Sequence, residues 1–213
     1  MLFDAVGTLI YPDPPVAEVY WVAGERFGSR LSFEEIRRRF GEAFRAHYTR
    51  GEATGEARER ERWRRIVASV FEDVGEGAEG LFESLWQHFA QPLNWRTYPD
   101  VSALTELKSQ GYRIGIASNF DERLNGIVRK LPLLAACEAV FVSSSVGYSK
   151  PDVRFFREIE KRLGVEARKV VLVGDDVVND VEGAQGAGWK AVRVERDGEG
   201  RGDGAIRSLR ELV

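Results

Sequence analysis

The chain has 213 residues, 43% of them hydrophobic and 11% aromatic, enough for one sizeable core with a large insertion but short of two full domains. Its 31 basic and 34 acidic residues leave a formal charge of −3, which offers no electrostatic footprint for nucleic acid or an anionic membrane. The single cysteine, Cys137, excludes an internal disulfide; that usage points to a reducing, cytoplasmic setting, with Cys137 a small core hydrophobe.

No apolar run approaches the roughly 18 residues that cross a bilayer. The opening MLFDAVGTLI lacks the basic start and the apolar length of a signal peptide. Residues 1–11 read as a short apolar strand running into a Gly-Thr turn, and Pro12, Pro14 and Pro15 then punctuate a loop. Only Met1, Leu2 and Phe3 precede Asp4, fewer than the five or six residues of a usual strand, so the chain reads as trimmed at its start.

From 16 to 90 the period is helical. Val16, Val19, Tyr20, Ala23 and Phe27 share one face. Phe33, Ile36, Phe40, Ala43, Phe44 and His47 share another, opened by Ser32 as N-cap with Glu35 three residues on. Trp63, Ile66, Val67, Val70 and Phe71 form a third stripe, and Leu81, Phe82, Leu85, Trp86 and Phe89 a fourth. Breaks at Gly28, 51–55 and 75–80 separate these four stripes, which predicts a small helical bundle. Trp21, Trp63 and Trp86 read as bundle core, His47 and His88 as structural, and the alternating charges of 58–65 as a solvated helix face.

After Pro92 the pattern alternates. Helices are expected at 101–110, 121–130, 152–163 and 178–187, and strands at 112–117, 139–142, 169–173 and 190–194. Apolar strands separated by helices imply an α/β fold with a doubly wound parallel sheet. The domain expectation is therefore a core from 1–12 and 93–213 and a helical cap from 13–92. Residues 197–204, with Arg201-Gly202-Asp203 inside them, read as a flexible surface loop rather than an adhesion motif.

Doubly wound sheets place their sites at the carboxyl ends of the strands. There stand Asp4, then Ser118-Asn119, then Lys150-Pro151, then Gly174-Asp175-Asp176 with Asn179-Asp180 after it. Singly these would be turn residues, an N-cap and helix N-terminal acids. Together they suit phosphoryl transfer: a carboxylate as nucleophile, facing acids that need a divalent cation, and an ammonium and a hydroxyl for the phosphoryl oxygens. Gly7 would let the backbone turn tightly beneath a phosphate.

In order and spacing, DAVGTL, ASN, SKP and GDDVVND resemble the four motifs of the haloacid dehalogenase superfamily, and the helical insertion after the first resembles its cap. The resemblance implies Asp4 as nucleophile, Thr8 supporting the first turn near it, and Ser118 and Lys150 on the phosphoryl oxygens, with Gly7 and Asn119 beside the substrate. It implies Mg²⁺ held by Asp4, the Val6 carbonyl and Asp175. Asp180 would join through a water or pair with Lys150, while Asp176 is either near the metal or solvent-facing. The partner would be a small phosphorylated molecule, with no nucleic acid and no membrane.

One position departs from the pattern. The superfamily's phosphatases carry a second aspartate, the general acid/base, where this chain has Val6. A valine gives no proton, so acidic leaving groups such as acyl or aryl phosphates are favoured. Two other readings follow from Val6: a 2-haloacid dehalogenase, whose halide leaves unprotonated, and a non-catalytic binding protein on a hydrolase fold. The acid at 175 favours a cation, and a cation favours phosphate.

Overall fold

The computed structural model describes residues 1–48, 53–196 and 204–213. Residues 51 and 52 of the expected break at 51–55, and the stretch 197–203 with Arg201-Gly202-Asp203, lie outside the described residues.

In chain order the elements are β1 (Leu2–Phe3), β2 (Ile10–Pro12), α1 (Val16–Arg26), α2 (Phe33–His47), α3 (Glu56–Val70), α4 (Ala78–His88), β3 (Trp95–Thr97), α5 (Ala103–Ser109) and β4 (Gly115–Ser118). Then come α6 (Arg123–Val128), β5 (Ala139–Val142), α7 (Ser143–Val146), α8 (Val153–Leu163), β6 (Val171–Gly174), a π-helix (Val177–Glu182), α9 (Gly183–Gly186) and β7 (Lys190–Arg193).

Five strands form one parallel sheet in the order β5-β4-β1-β6-β7. The chain starts at the centre, winds outward to one edge, returns beside β1 and winds to the other. This is the doubly wound topology expected from the alternating pattern. Side chains alternate across the strands. Phe3, Ile116, Val142 and Val173 enter the cluster that α5 and α6 cover with Leu104, Leu107, Leu124 and Ile127. Leu2, Ala117, Phe141 and Leu172 enter the opposite cluster, covered by Phe155, Phe156 and Ile159 of α8 and Ala184 of α9. Both faces are buried, which is why these strands read as continuous apolar runs.

Strand boundaries differ from expectation where the ladder decides them. Gly115 is the first residue of its segment with partners on both sides, Leu2 and Ala139. Tyr112, expected inside the strand, lies outside that ladder and is exposed. The helix expected at 178–187 is instead a π-helix running into the short α9.

The four helices α1 to α4 pack around a separate apolar cluster that includes Tyr20, Ile36, Ile66, Val67, Phe82 and Leu85. Ser32 caps α2 as expected, its hydroxyl accepting from the Glu35 amide at 3.3 Å. Glu35 does not close the box; its carboxylate turns instead to Arg38 and Arg39. Phe33 and Phe44, assigned to the buried stripe, are 37% and 36% exposed. The bundle joins the sheet through two crossings, β2 and β3, which pair antiparallel with Tyr11 opposite Arg96. Among the described residues no helix is long and apolar enough to cross a membrane.

Candidate active site

Asp4 follows β1 directly, at the carboxyl edge of the sheet's central strand. Ser118 ends β4, Asp175 follows β6, and Lys150 sits in the segment between α7 and α8. Sheet order therefore gathers onto one edge groups separated by more than a hundred residues of chain. Asp4, Asp175 and Asp180 each bring a carboxylate oxygen within 4.8 Å of the others.

Lys150 is the hub, only 2% exposed. Its Nζ donates to Asp4 Oδ1 at 2.7 Å, to Asp180 Oδ1 at 2.5 Å and to the Ala117 carbonyl at 2.9 Å. All three ammonium protons thus have acceptors. Burial by itself would lower the lysine pKa, but the facing charges of Asp180 and Asp4 outweigh it and raise it. The three acids are raised as well, in their case by burial. Burial raises Asp4, opposed by Lys150 and by the Ser118 hydroxyl, while the neighbouring Asp175 adds to the rise. Burial pushes Asp180 up to about 6 against the pull of Lys150. Asp175 is also raised by burial, opposed by its hydrogen bond from Thr8.

The local chain fixes these acids tightly. Gly7 has φ +89°, and a Cβ there would collide with the Asp175 carboxylate. The glycine expected to lie beneath a phosphate is thus required first by the close approach of Asp175. A Cβ on Gly174 would likewise collide with Asp180. Thr8, fully buried, donates its hydroxyl to Asp175 Oδ1 at 3.0 Å, so it steadies this second acid rather than the side chain of Asp4.

Asp180 has both oxygens engaged, Oδ1 by Lys150 and Oδ2 by the Asp176 amide at 3.1 Å. The Asp176 side chain stands outside the acid cluster and is exposed, but it has a local task. Its Oδ1 caps the π-helix by accepting from the amides of Val178 and Asn179, both at 2.8 Å. Asn119, expected beside substrate, clamps the Lys150 main chain from both sides: Oδ1 accepts from its N–H at 2.8 Å, and Nδ2 donates to its carbonyl at 2.9 Å.

Several contributors have no local signature in the sequence. The Asn119 amide also donates to the hydroxyl of Tyr48, which ties the bundle to the sheet edge. Thr54 N donates to the Gly147 carbonyl at 2.9 Å, and the Glu56 carboxylate accepts from the Glu122 amide at 3.0 Å. Arg196 grips the first turn from behind. It donates to the Gly7 carbonyl at 3.2 Å, to the Thr8 carbonyl, and to Asp100 Oδ2 at 3.1 Å.

Beyond Val6 and Asn119 a cavity of about 250 Å³ opens between sheet edge and bundle. Trp63 and Trp86 pack against the bundle cluster, as read from the sequence, and also line this cavity. So do Glu59 and Arg62, drawn from the run read as a solvated face; their side chains are 8% and 13% exposed. Trp21 packs against the bundle cluster, edge-on to Phe33. His47 meets the Ser69 hydroxyl at 3.0 Å, and burial lowers the pKa of His88; neither belongs to the acid cluster. Cys137 packs partly buried at the core, and burial pushes its thiol up to about 12, in keeping with an inert residue.

An α/β protein with an acid-lined carboxyl edge on a doubly wound parallel sheet is the class that this fold and site define. A haloacid dehalogenase-like hydrolase family model matches residues 1–188, so the chain belongs to that family and is a hydrolase. Haloacid dehalogenase-like hydrolase domain-containing protein 3 of Mus musculus is 28% identical over 202 residues, spanning 91% of this chain and 80% of its own length. A phosphatase of Mycobacterium tuberculosis is 29% identical over 223 residues, spanning 100% of this chain and 94% of its own. Among solved structures, a HAD phosphatase from Thermococcus onnurineus superposes with a TM-score of 0.68 at 27% identity, covering 99% of this chain and 94% of its own.

Proposed function

We propose that this hydrolase is a magnesium-dependent phosphohydrolase of small phosphorylated metabolites, with Asp4 as nucleophile and residues 13–92 as a cap over a core of 1–12 and 93–213. One observation carries the reading: three carboxylates bring oxygens within 4.8 Å of one another, and two of them, Asp4 and Asp180, share a single buried ammonium. Ionised, they leave two negative charges uncompensated, which a divalent cation would balance, and hard carboxylate oxygens suit magnesium. Asp4, Asp175 and the Val6 carbonyl would hold the ion; Asp180, with both oxygens engaged, would act by fixing Lys150. When bound, the ion would neutralise charge on the phosphoryl oxygens.

The chain's own groups then divide the work. Asp4 attacks phosphorus through a carboxylate oxygen as the bond to the leaving oxygen breaks, the electron pair departing with that oxygen. Lys150 and the Ser118 hydroxyl face the charge that spreads over the transferred group. Asn119 keeps Lys150 in place, Thr8 does the same for Asp175, and Gly7 lets the turn sit against that acid. Water attacks the phosphorus of the aspartyl phosphate, returning Asp4 and releasing inorganic phosphate. The phosphatases among the relatives and solved structures support phosphorus as the target.

Phosphate release from acetyl phosphate and from aryl phosphates tests this. The expected result is turnover with Mg²⁺ that falls to background with a chelator and in Asp4→Asn. Absence of phosphate from every member of a broad panel overturns the proposal. Val6 favours one second reading, a 2-haloacid dehalogenase, because halide leaves without a proton. Chloride release from a short 2-chloro acid, undiminished by chelator, would establish that reading instead.

A further inference from the structure

The cavity beyond Val6 has a composition that the rest of the chain does not share. Aromatic residues make up 11% of the sequence but ten of the twenty-one residues lining this space. Its lining includes Val6, two residues after Asp4, and Asn119, which follows Ser118. A group leaving Asp4 past these two residues toward the bundle would enter an aromatic chamber.

The charged groups in that chamber already have partners. Arg62 donates to Glu59 at 2.7 Å. Arg123 holds Asp121 through two hydrogen bonds, both 2.7 Å, donates to the Trp86 carbonyl at 3.2 Å, and stacks 3.4 Å above the Trp86 ring. The amide of Asn119 is committed to Lys150 and Tyr48. A sugar or polyol placed here would bury hydroxyls with few free partners, and each such loss weakens binding. An aromatic ring would instead meet ring edges and faces.

Resting on the phosphohydrolase reading above, we infer that the substrate is an aryl phosphate monoester whose aromatic group occupies the chamber between Val6 and the cap helices. The volume fits: about 150 Å³ already holds a benzene ring, so about 250 Å³ has room for one substituted ring or two fused rings. The chemistry agrees independently. Asp4 attacks phosphorus, the bond from phosphorus to the aryl oxygen breaks, and the electron pair leaves as an aryl oxide stabilised by its own ring. That oxide takes its proton from water afterwards, so the absence of a proton donor at Val6 matters little. Water completes the cycle by cleaving the aspartyl phosphate, giving a phenol and inorganic phosphate in total.

The test compares kcat/KM of the full chain with Mg²⁺ on 1-naphthyl phosphate and phenyl phosphate against glycerol phosphate and a hexose phosphate. Aryl esters are expected to lead by about 100-fold, the effect of two or more unpartnered hydroxyls in the polar esters. In Trp63→Ala, the KM for the naphthyl ester is expected to rise by up to about tenfold more than the KM for acetyl phosphate, as lost ring contact requires. Binding of 1-naphthol to the unaltered protein, read by quenching of tryptophan fluorescence, gives a check independent of turnover, since Trp63, Trp86 and Trp95 line the chamber. Polyol esters hydrolysed as well as aryl esters, or no quenching by naphthol, overturn this inference and leave the phosphohydrolase reading intact. No phosphate from any ester or from acetyl phosphate overturns both.

Discussion

Val6 stands where a proton donor would serve an ordinary phosphate ester, and it is among the residues that line the aromatic chamber. Loss of a positioned acid/base typically costs about 10²- to 10⁴-fold in rate. Restoring one should therefore be visible. Val6→Asp is expected to raise kcat on an alkyl phosphate by about 100-fold or more, with a smaller gain on aryl phosphates, measured by phosphate release for the two classes side by side. Equal gains on both classes would mean that departure of the leaving group was never limited by proton supply. Lys150 shows the same economy of space. One ammonium serves both Asp4 and Asp180, and Asn119 fixes its main chain rather than its charge.

At the scale of elements, the π-helix is the piece whose geometry matters most to the site. Val181 N reaches back five residues to the Asp176 carbonyl at 3.3 Å, and Asp180 N reaches the same oxygen at 2.9 Å. The widened turn accompanies an inward Asp180, as π-turns often do at functional sites. Asp176 starts it by capping two amides. Asp176→Ala is expected to lower stability by about 1 kcal/mol, the usual effect of removing such a cap, read as a lower denaturant midpoint. Because Asp180 accepts from the main-chain N–H of residue 176, its place beside Lys150 survives the substitution. The cap helices carry their share through the antiparallel crossings β2 and β3 and through Tyr48, which meets Asn119 at the sheet edge.

Across the whole molecule two linkages are measurable. Magnesium at about a hundred times its Kd would stabilise the folded chain by about 2.7 kcal/mol, raising Tm by about 5–10 °C for a chain of this size. Asp175→Asn should remove most of that shift, and melting with Mg²⁺ against chelator checks it. The second linkage lies behind the first turn, at the acid that Arg196 holds. Burial would raise the pKa of Asp100, but hydrogen bonds from Arg196 and the Leu209 amide outweigh burial and hold it below 3.8. A lowered carboxylate contributes stability above its unfolded value and loses it as pH falls through the folded one. Asp100→Asn is therefore expected to lower the urea midpoint at pH 7, and its deficit should shrink as pH is taken below 4.

How much was legible follows from range. Continuous apolar runs marked β1, β4, β5 and β6 because both sheet faces are covered, and Ser32 marked the start of α2 through a bond to its own helix. Residues that act on neighbours in the chain leave a local trace. Arg196 reaches Gly7 across 189 positions, and Tyr48 reaches Asn119 across 71; such pairs leave none.

The sequence by itself determined the order of strands and helices, the hydrolase family and the acids at the strand ends, since each depends on local periodicity or a short motif. Tertiary structure alone decided that Asp4 and Asp180 share one lysine, that Gly7 must yield to Asp175, and that Trp63 and Trp86, packed against the bundle core, also line a chamber. Those facts depend on sheet order and on how the helices seat over it, which fix distances between residues far apart in the chain and are written in no single segment.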